Sequence, residues 1–461
     1  MLASAYNTPP EQDLIVKKGI VALLVILAVV IIVSPGIVGR IAEKSVDENL
    51  NWAARNSSDV VVSSENFDRG WFSSEGQHRI EIKDGELSAI LSAMGGASAS
   101  SELPVLVVNT RLDHGLIPVS SMTRDKGSLT PGLGSAVSTL SLEFSNGGKV
   151  DLPGTIYSNV GLGGETRSTY SLEAGSREDD VSTVYGSTAS WEATEIDVTT
   201  NPSSGDVTFA GNVGAFSLGD SDSSFSVDGL SFSGKQAPTE FGFSIGEMKL
   251  ELDAMAISSA GVHAGGLKQM SVDGSTSIDD GRLSGRTVLE IQSEPIPQFG
   301  EFSVSADISL EGADAEALGA LQKALEAQHA NPGTDPLQVL NAAEDELKRF
   351  LAAGLEVRFD KFDVALPMGT VTTKLDVKFK KEDAATFEWT SLLQSAEAAA
   401  DISIPETLVD LALQMNPEAG AVVGMGFLQK NGDVYELNAE YKKGLLLING
   451  APMPIPLGMI Q

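Results

Sequence analysis

Four histidines, His78, His114, His263 and His329, are the first places to look for acid–base or metal chemistry in this chain. A helical zinc site of the H-E-x-x-H kind needs two of them four residues apart, so that one helix face presents both to the ion. No pair has that spacing. Asp113-His114 sets an acid beside an imidazole, but neighbours on a strand point to opposite faces, so the carboxylate does not orient the ring. "GLGGE" at Gly161–Glu165 has the glycines of a phosphate cradle without the G-x-G-x-x-G spacing or the P-loop lysine. "DSDSS" (Asp220–Ser224) and "DGSTSIDDG" (Asp273–Gly281) resemble calcium loops in composition. The first lacks glycine at the sixth loop position and glutamate at the twelfth, and both read as solvated turns. There is no G-x-S-x-G elbow. The chain has no cysteine, so thiolate nucleophiles, Cys-ligated zinc and disulfides are excluded. Carboxylates abound, yet nothing singles out a pair for glycoside chemistry. The expectation is a protein that is not an enzyme, with no catalytic, metal or cofactor-binding residue.

The charge balance narrows the partners. Lys plus Arg number 31 and Asp plus Glu 63, a net charge of −32 over 461 residues. Nucleic acid and anionic headgroups would be repelled by so acidic a surface. Apolar residues make up 42%, enough for an extensive core.

Gly19–Gly39 carries no charge and is bounded by Lys17-Lys18 and Arg40. As a helix it would span roughly 31 Å, close to the hydrocarbon thickness of a bilayer. The run is longer than the apolar core of a secretory signal, and no A-x-A site follows it. It therefore reads as a single uncleaved transmembrane signal anchor, with residues 1–18 as a tail. Lys17 and Lys18 on one side, against Arg40, Lys44 and Arg55 on the other, leave the orientation undecided by charge.

Residues 40–59 read as a stalk or linker, 60–311 as a β-rich domain and 312–461 as a helical and β region. Alternation marks the strands: Phe225 and Val227, then Leu230 and Phe232; Phe241, Phe243 and Ile245; Met248, Leu250 and Leu252. Asp228-Gly229 reads as a turn. Helices are expected at Asp314–Ala330, from Asp335-Pro336 to Gly354, at about Trp389–Ala400, and from Ser403-Pro405 to Met415. Pro367-Met368-Gly369 separates two hairpin strands. Asn431-Gly432 is the strongest two-residue hairpin signal, with Lys443-Gly444 a second turn. The fold class is α+β, predominantly antiparallel β: a long twisted or curved sheet followed by helices and a closing meander. An apolar stripe on such a sheet, with Phe225, Val227, Phe241 and Phe243 as candidate groove residues, would accept acyl chains. The bland alternative is a sandwich that buries the stripe completely.

Arg69, Gly70, Trp71 and Phe72, in "FDRGWFSSEG", form a membrane-proximal motif: interfacial anchors, or the rings that close the first hairpin. An N-terminal anchor followed by this R-G-aromatic-Phe-Ser-Ser stretch resembles the YdgA-like bacterial envelope family, also called domain-of-unknown-function family 945. The end agrees: "YKKGLLLINGAPMPI" (Tyr441–Ile455) is similar to that family's closing Y-x-x-G…N-G-x-P-x-P pattern. The resemblance implies an inner-membrane protein whose body faces the periplasm, and it implies no catalytic residue. In plan the family is similar to AsmA-like envelope proteins, which join an anchor to a lipid-handling β groove; that step is architectural analogy only. The expected partners are thus the membrane, with lipid or envelope proteins, and the expected roles are envelope maintenance, lipid handling or a protein-interaction scaffold. An envelope hydrolase is the least favoured.

Overall fold

A computed structural model describes residues 60–69, 73–82, 105–114, 134–143, 147–178, 188–219, 223–259, 262–295, 300–329, 344–384, 387, 394–415 and 423–453. The expected anchor at Gly19–Gly39 and the whole 40–59 linker lie outside the described residues. Among the described residues no helix is long and apolar enough to cross a membrane. The chain divides into two compact units, residues up to 237 with 252–264, and 238–251 with 265 onward. The division does not fall at 311–312: strands from residue 265 on share a unit with the helices that follow them.

In the first unit β1 (Val60–Arg69), β2 (Ser73–Ile82), β3 (Val105–His114), β4 (Gly134–Glu143), β5 (Lys149–Val160) and β6 (Thr166–Leu172) pair antiparallel in chain order. The hairpin of β7 (Gly175–Glu178) and β8 (Thr188–Trp191) follows, and β9 (Thr194–Thr200) returns to β6. The chain then alternates. β10 (Val207–Val213) joins β9, β11 (Phe216–Gly219) joins β8, β12 (Ser223–Val227) joins β11, and β13 (Leu230–Pro238) joins β10. β14 (Ser244–Leu252) lies almost wholly in the second unit, and β15 (Met255–Ser259) pairs with β12.

The core of this unit is one face of the main ladder. Ile156, Tyr170, Ile196, Gly211 and Phe232 stand in register across five strands. Leu106, Val108, Leu140 and Leu142 extend the same buried cluster toward β3 and β4. Gly211 is required in that row, because a Cβ there would come within 2.5 Å of the Phe232 ring. The period-two apolarity of the sequence is realised here as one buried sheet face.

Five strands in this unit are interrupted at the same level. The pairs Glu173-Ala174, Glu192-Ala193, Gly214-Ala215, Asp228-Gly229 and Asp253-Ala254 separate β6 from β7, β8 from β9, β10 from β11, β12 from β13, and β14 from β15. Asp228-Gly229 is thus not a chain reversal. Val213 pairs with Leu230 on one side of it and Phe216 with Val227 on the other, so the hairpin runs straight through. Beyond the line, β7, β8, β11, β12 and β15 form a short flap.

In the second unit β16 (Val262–Asp279, from Gly265 on), β17 (Arg282–Ser293) and β18 (Ser303–Asp314) form consecutive hairpins. Asp280 (φ 46°) and Gly281 (φ 72°) make the first turn, both in the left-handed region that a two-residue I′ turn requires. Helix α1 (Ala315–His329) starts where Asp314 accepts the Ala317 amide at 2.9 Å, as an N-cap. Helix α2 (Glu344–Ala352) ends before Gly354 (φ 93°), and the Arg282 guanidinium donates to the Ala353 carbonyl at 2.8 Å. Both helices pack on the end of the sheet: Leu318, Phe350 and Leu351 join Leu283, Leu310, Leu355 and Val357.

β19 (Glu356–Leu366) and β20 (Gly369–Phe379) form the hairpin expected around Pro367-Met368. The expected helix at about Trp389–Ala400 is not the fold of its second half. Ala396–Pro405 is β21, paired with β20 on one side. Alanine favours helix locally, but from Glu397 to Ser403 the strand is paired on both sides, and that outweighs the preference. Helix α3 (Glu406–Met415) follows, as expected after Pro405. β22 (Gln429–Asn431) and β23 (Val434–Lys442) close on Asn431↔Val434, and β23 takes the other side of β21. The loop is therefore Gly432-Asp433, one residue later than the Asn-Gly reading. β24 (Leu445–Ile448) and β25 (Ala451–Met453) complete the meander. Lys443-Gly444 and Asn449-Gly450 have the paired positive φ of I′ turns.

Candidate functional site

The four candidate groove residues fall in different units. Phe225 and Val227 lie on β12; Phe241 and Phe243 precede β14. Val227 is 6% exposed, between Phe216 on β11 and Met255 on β15. Phe225 is half-buried, its ring 5.8 Å from that of Phe216. Phe243 packs into the core beneath α1 and α2, with Phe241 stacked 6.3 Å away. Arg69 ends β1, while Gly70, Trp71 and Phe72 lie outside the described residues.

The histidines and acidic loops take ordinary places. His78 is buried on β2, and His263 is exposed. "GLGGE" is a tight hairpin loop in which the Gly161 amide donates to the Glu165 carbonyl at 2.8 Å. "DGSTSIDDG" is the end of β16 and its turn. Among the described residues no group of histidine and carboxylate side chains could hold a metal.

A surface that the sequence did not single out lies on the second unit. Its sheet has two contrasting faces. On one, Leu289, Ala306, Phe362, Thr373, Ile402 and Leu437 run in register across six strands. Beside them runs a second row, Ile308, Phe359, Leu375, Ala400, Ala439 and Ile448. A bulge at Asp360-Lys361 keeps Phe359 and Phe362 in these adjacent rows. From β17 to β23 this is on the order of 24 Å of apolar surface, at about 4.8 Å per strand. Its large side chains are half-buried rather than closed off, and Phe362 is 37% exposed. β20 and β23 alternate cleanly, so the face was implicit in "VTTKLDVKF" and "VYELNAEYK". What the sequence lacked was the register that aligns six such strands.

The opposite face is a lattice of cross-strand ion pairs. Arg286 grips Asp307 with two bonds, of 2.8 and 2.6 Å. Arg358 donates to Glu311, and Lys378 to Glu356, each at 2.6 Å. Glu397 receives Lys380 at 2.8 Å and Lys442 at 3.4 Å. The hydrogen bond from Arg286 holds the Asp307 carboxyl below the usual carboxylate range, and the bond from Lys380 does the same for Glu397. These pairs are solvent-screened and add little stability each, but they mark this face as the wet one.

The closing segment is tied in by Asn449. Its side-chain Oδ1 accepts the Asn438 amide at 2.9 Å, and its side-chain NH2 donates to Phe427 O at 3.0 Å and Gly426 O at 3.2 Å. The N-G of the "LLLING" stretch is thus both a turn and a clamp. A family model described as a bacterial protein of unknown function (DUF945) matches residues 16–456. The chain belongs to that family. The DUF945 match takes in both units and runs from before the Gly19–Gly39 stretch to beyond β25. No curated protein and no solved structure matches the chain.

Proposed function

We propose that this DUF945 protein is a non-catalytic envelope factor, anchored in the bacterial inner membrane by Gly19–Gly39 with its body in the periplasm, that holds lipid acyl chains on the apolar face of its second unit. The observation that carries this reading is the six-strand apolar face itself, half-buried and backed by a charged face. A sheet face of this size ordinarily lies against another layer. Each methylene that leaves water on it would contribute roughly 0.8 kcal/mol. The net charge of −32 argues that the chains, not an anionic headgroup, would provide the attraction. The uncharged Gly19–Gly39 run supports proximity to a bilayer.

Photo-crosslinking residues at Phe362, Ile402 and Leu437, with Phe225 and Phe241 as a second set, are expected to capture lipid in cells. Discrete phospholipid-sized adducts should appear by mass spectrometry. Adducts to one protein would move the reading to an interaction scaffold, and no adduct at any of the five positions would end it. The topology has its own check. A periplasm-dependent reporter fused after Ser74 is expected to be active, and activity of a cytoplasm-dependent reporter there would reverse the orientation.

A further inference from the structure

The apolar face of the second unit has two unlike ends. At one end Leu310, Val357 and Phe379 join one apolar cluster with Leu318 of α1 and Phe350 and Leu351 of α2. At the other end the turns between β19 and β20 and between β22 and β23 meet the start of α3. The Glu406 amide donates to the Asp433 carbonyl at 2.9 Å, and the Thr407 hydroxyl to the Met368 carbonyl at 2.6 Å. From Ala398, in the row of Leu310 and Val357, to Ile404 is six residues of β21, about 20 Å at ~3.4 Å each. That is enough for the acyl layer of one leaflet, roughly 15 Å or half of a bilayer's hydrocarbon core.

The second end is polar, and its charges are mixed. Ile404, Tyr435 and Lys430 stand in register across β21, β23 and β22. Tyr435 is two residues from Leu437 and Ile404 two from Ile402, so all three side chains lie on the apolar side of the sheet. A lysine thus ends a row of apolar residues. Its ammonium is paired with the Glu406 carboxylate at the start of α3. Asp410, one helical turn on from Glu406, acts on the same ammonium, as does the Tyr435 phenol. Two carboxylates face one ammonium, so the cluster is negative on balance. Lys430 and Asp410 are exposed, and Tyr435 and Glu406 are half-buried, so the cluster can be reached from solvent.

We propose that this cluster seats the headgroup of an amine-bearing zwitterionic phospholipid, whose acyl chains run along the strands toward α1 and α2. Lys430 and the Tyr435 hydroxyl take the phosphate, and Glu406 and Asp410 take the ammonium. The inference rests on the lipid reading of this face and names the class of lipid. Charge complementarity is what carries it. A zwitterionic head inserts its own two charges into the Lys430–Glu406 pair and leaves neither partner uncompensated. An anionic head without an amine draws Lys430 away and leaves two carboxylates facing its phosphate, an unfavourable juxtaposition. The face also has the polarity of an amphiphile, with an apolar cluster at one end and charges at the other.

The test reads the headgroup at this face alone. The full chain, with a photo-reactive residue in place of Leu437, is equilibrated with vesicles of equal parts phosphatidylethanolamine and phosphatidylglycerol, and the adducts are identified by mass spectrometry. Phosphatidylethanolamine adducts are expected to outnumber phosphatidylglycerol adducts by at least about threefold, the order of one exposed ion pair. Glu406→Gln combined with Asp410→Asn, which leaves Lys430 without carboxylates, should reverse the preference toward phosphatidylglycerol. Lys268→Gln, which removes an exposed ion pair with Glu301, should leave it unchanged. Adducts that mirror the vesicle or favour phosphatidylglycerol overturn the headgroup assignment and leave the acyl-chain reading standing. So does a preference that the Glu406 and Asp410 changes do not move. No lipid adduct in any variant overturns both.

Discussion

Replacing Tyr170 with alanine is expected to destabilise the first unit by about 3–5 kcal/mol, in line with truncation of a buried aromatic ring. Tyr170 is 3% exposed and stands in the middle of the core row, paired with Ile156 and Ile196. Its ring lies over Gly154 (φ 99°) on the neighbouring strand, where a Cβ would come within 2.5 Å of the hydroxyl. The hydroxyl donates to the Pro153 carbonyl at 2.8 Å. Pro153 and Gly154 fall in a stretch where residues 153–155 oppose Thr139 alone, so the bulge frees that carbonyl and the tyrosine takes it up. Tyr170→Phe isolates the polar part, with an expected loss of about 1–2 kcal/mol. Burial pushes the phenol up to about 12 from its ordinary 10.0. A folded value above the unfolded one means stability that is complete below pH 10 and lost as pH rises toward 12. The linked loss is about 3 kcal/mol at most, at about 1.4 kcal/mol per pH unit. Urea unfolding at pH 8 and through the alkaline range should show this loss in the native chain but not in Tyr170→Phe. Equal alkaline slopes for both would refute the assignment.

Gly319→Ala is a contest between two effects of opposite sign. Within a helix, alanine in place of glycine gains about 1 kcal/mol. Gly319 lies in α1 against the backbone of the segment before β14, and an added Cβ would overlap the Phe241 carbonyl oxygen. A backbone oxygen cannot rotate aside, so α1 must lift from the core where Leu318 packs beside Phe243. Overpacking of this kind costs about 1–3 kcal/mol, and contact with backbone puts it at the upper end. The expected net result is a loss of about 2 kcal/mol in the second unit, read as a lower denaturation midpoint with an unchanged slope. Larger side chains such as Gly319→Val should lose more. If Gly319→Ala stabilised the protein, the close approach would be wrong.

The antiparallel class was legible because alternation is local and survives any register. The Pro367–Gly369 hairpin, the helix read at Asp314–Ala330 and the helix after Pro405 were legible for the same reason: each is specified by residues within a few positions. β21 was misread because Ala396–Ala400 states its helical preference locally, while its pairing with β20 and β23 is decided by residues tens of positions away. The apolar face of the second unit was invisible as a site for that reason also. Its members are ordinary alternating residues, and only register puts Leu289 in line with Leu437. Asp228-Gly229 was misread as a reversal for the same reason: a turn-forming pair states its preference locally, while the pairing that carries the chain straight through it is decided by strands further away.

The order of pairing bears on how the chain is assembled. β2 through β6, and β17 through β21, each bond to the strand made immediately before. Pairing each strand with its predecessor keeps contacts local in sequence, so less entropy is lost before each new hydrogen-bonded ladder rewards it than in a sheet of distant pairings. The edge left open at any moment is the edge the next segment needs, which shortens the time that edge is available to a foreign strand. The junctions that must wait for an intervening hairpin or helix include β6 to β9, β10 to β13, β18 to β19 and β21 to β23. Those junctions are where the folding of this protein would be slow.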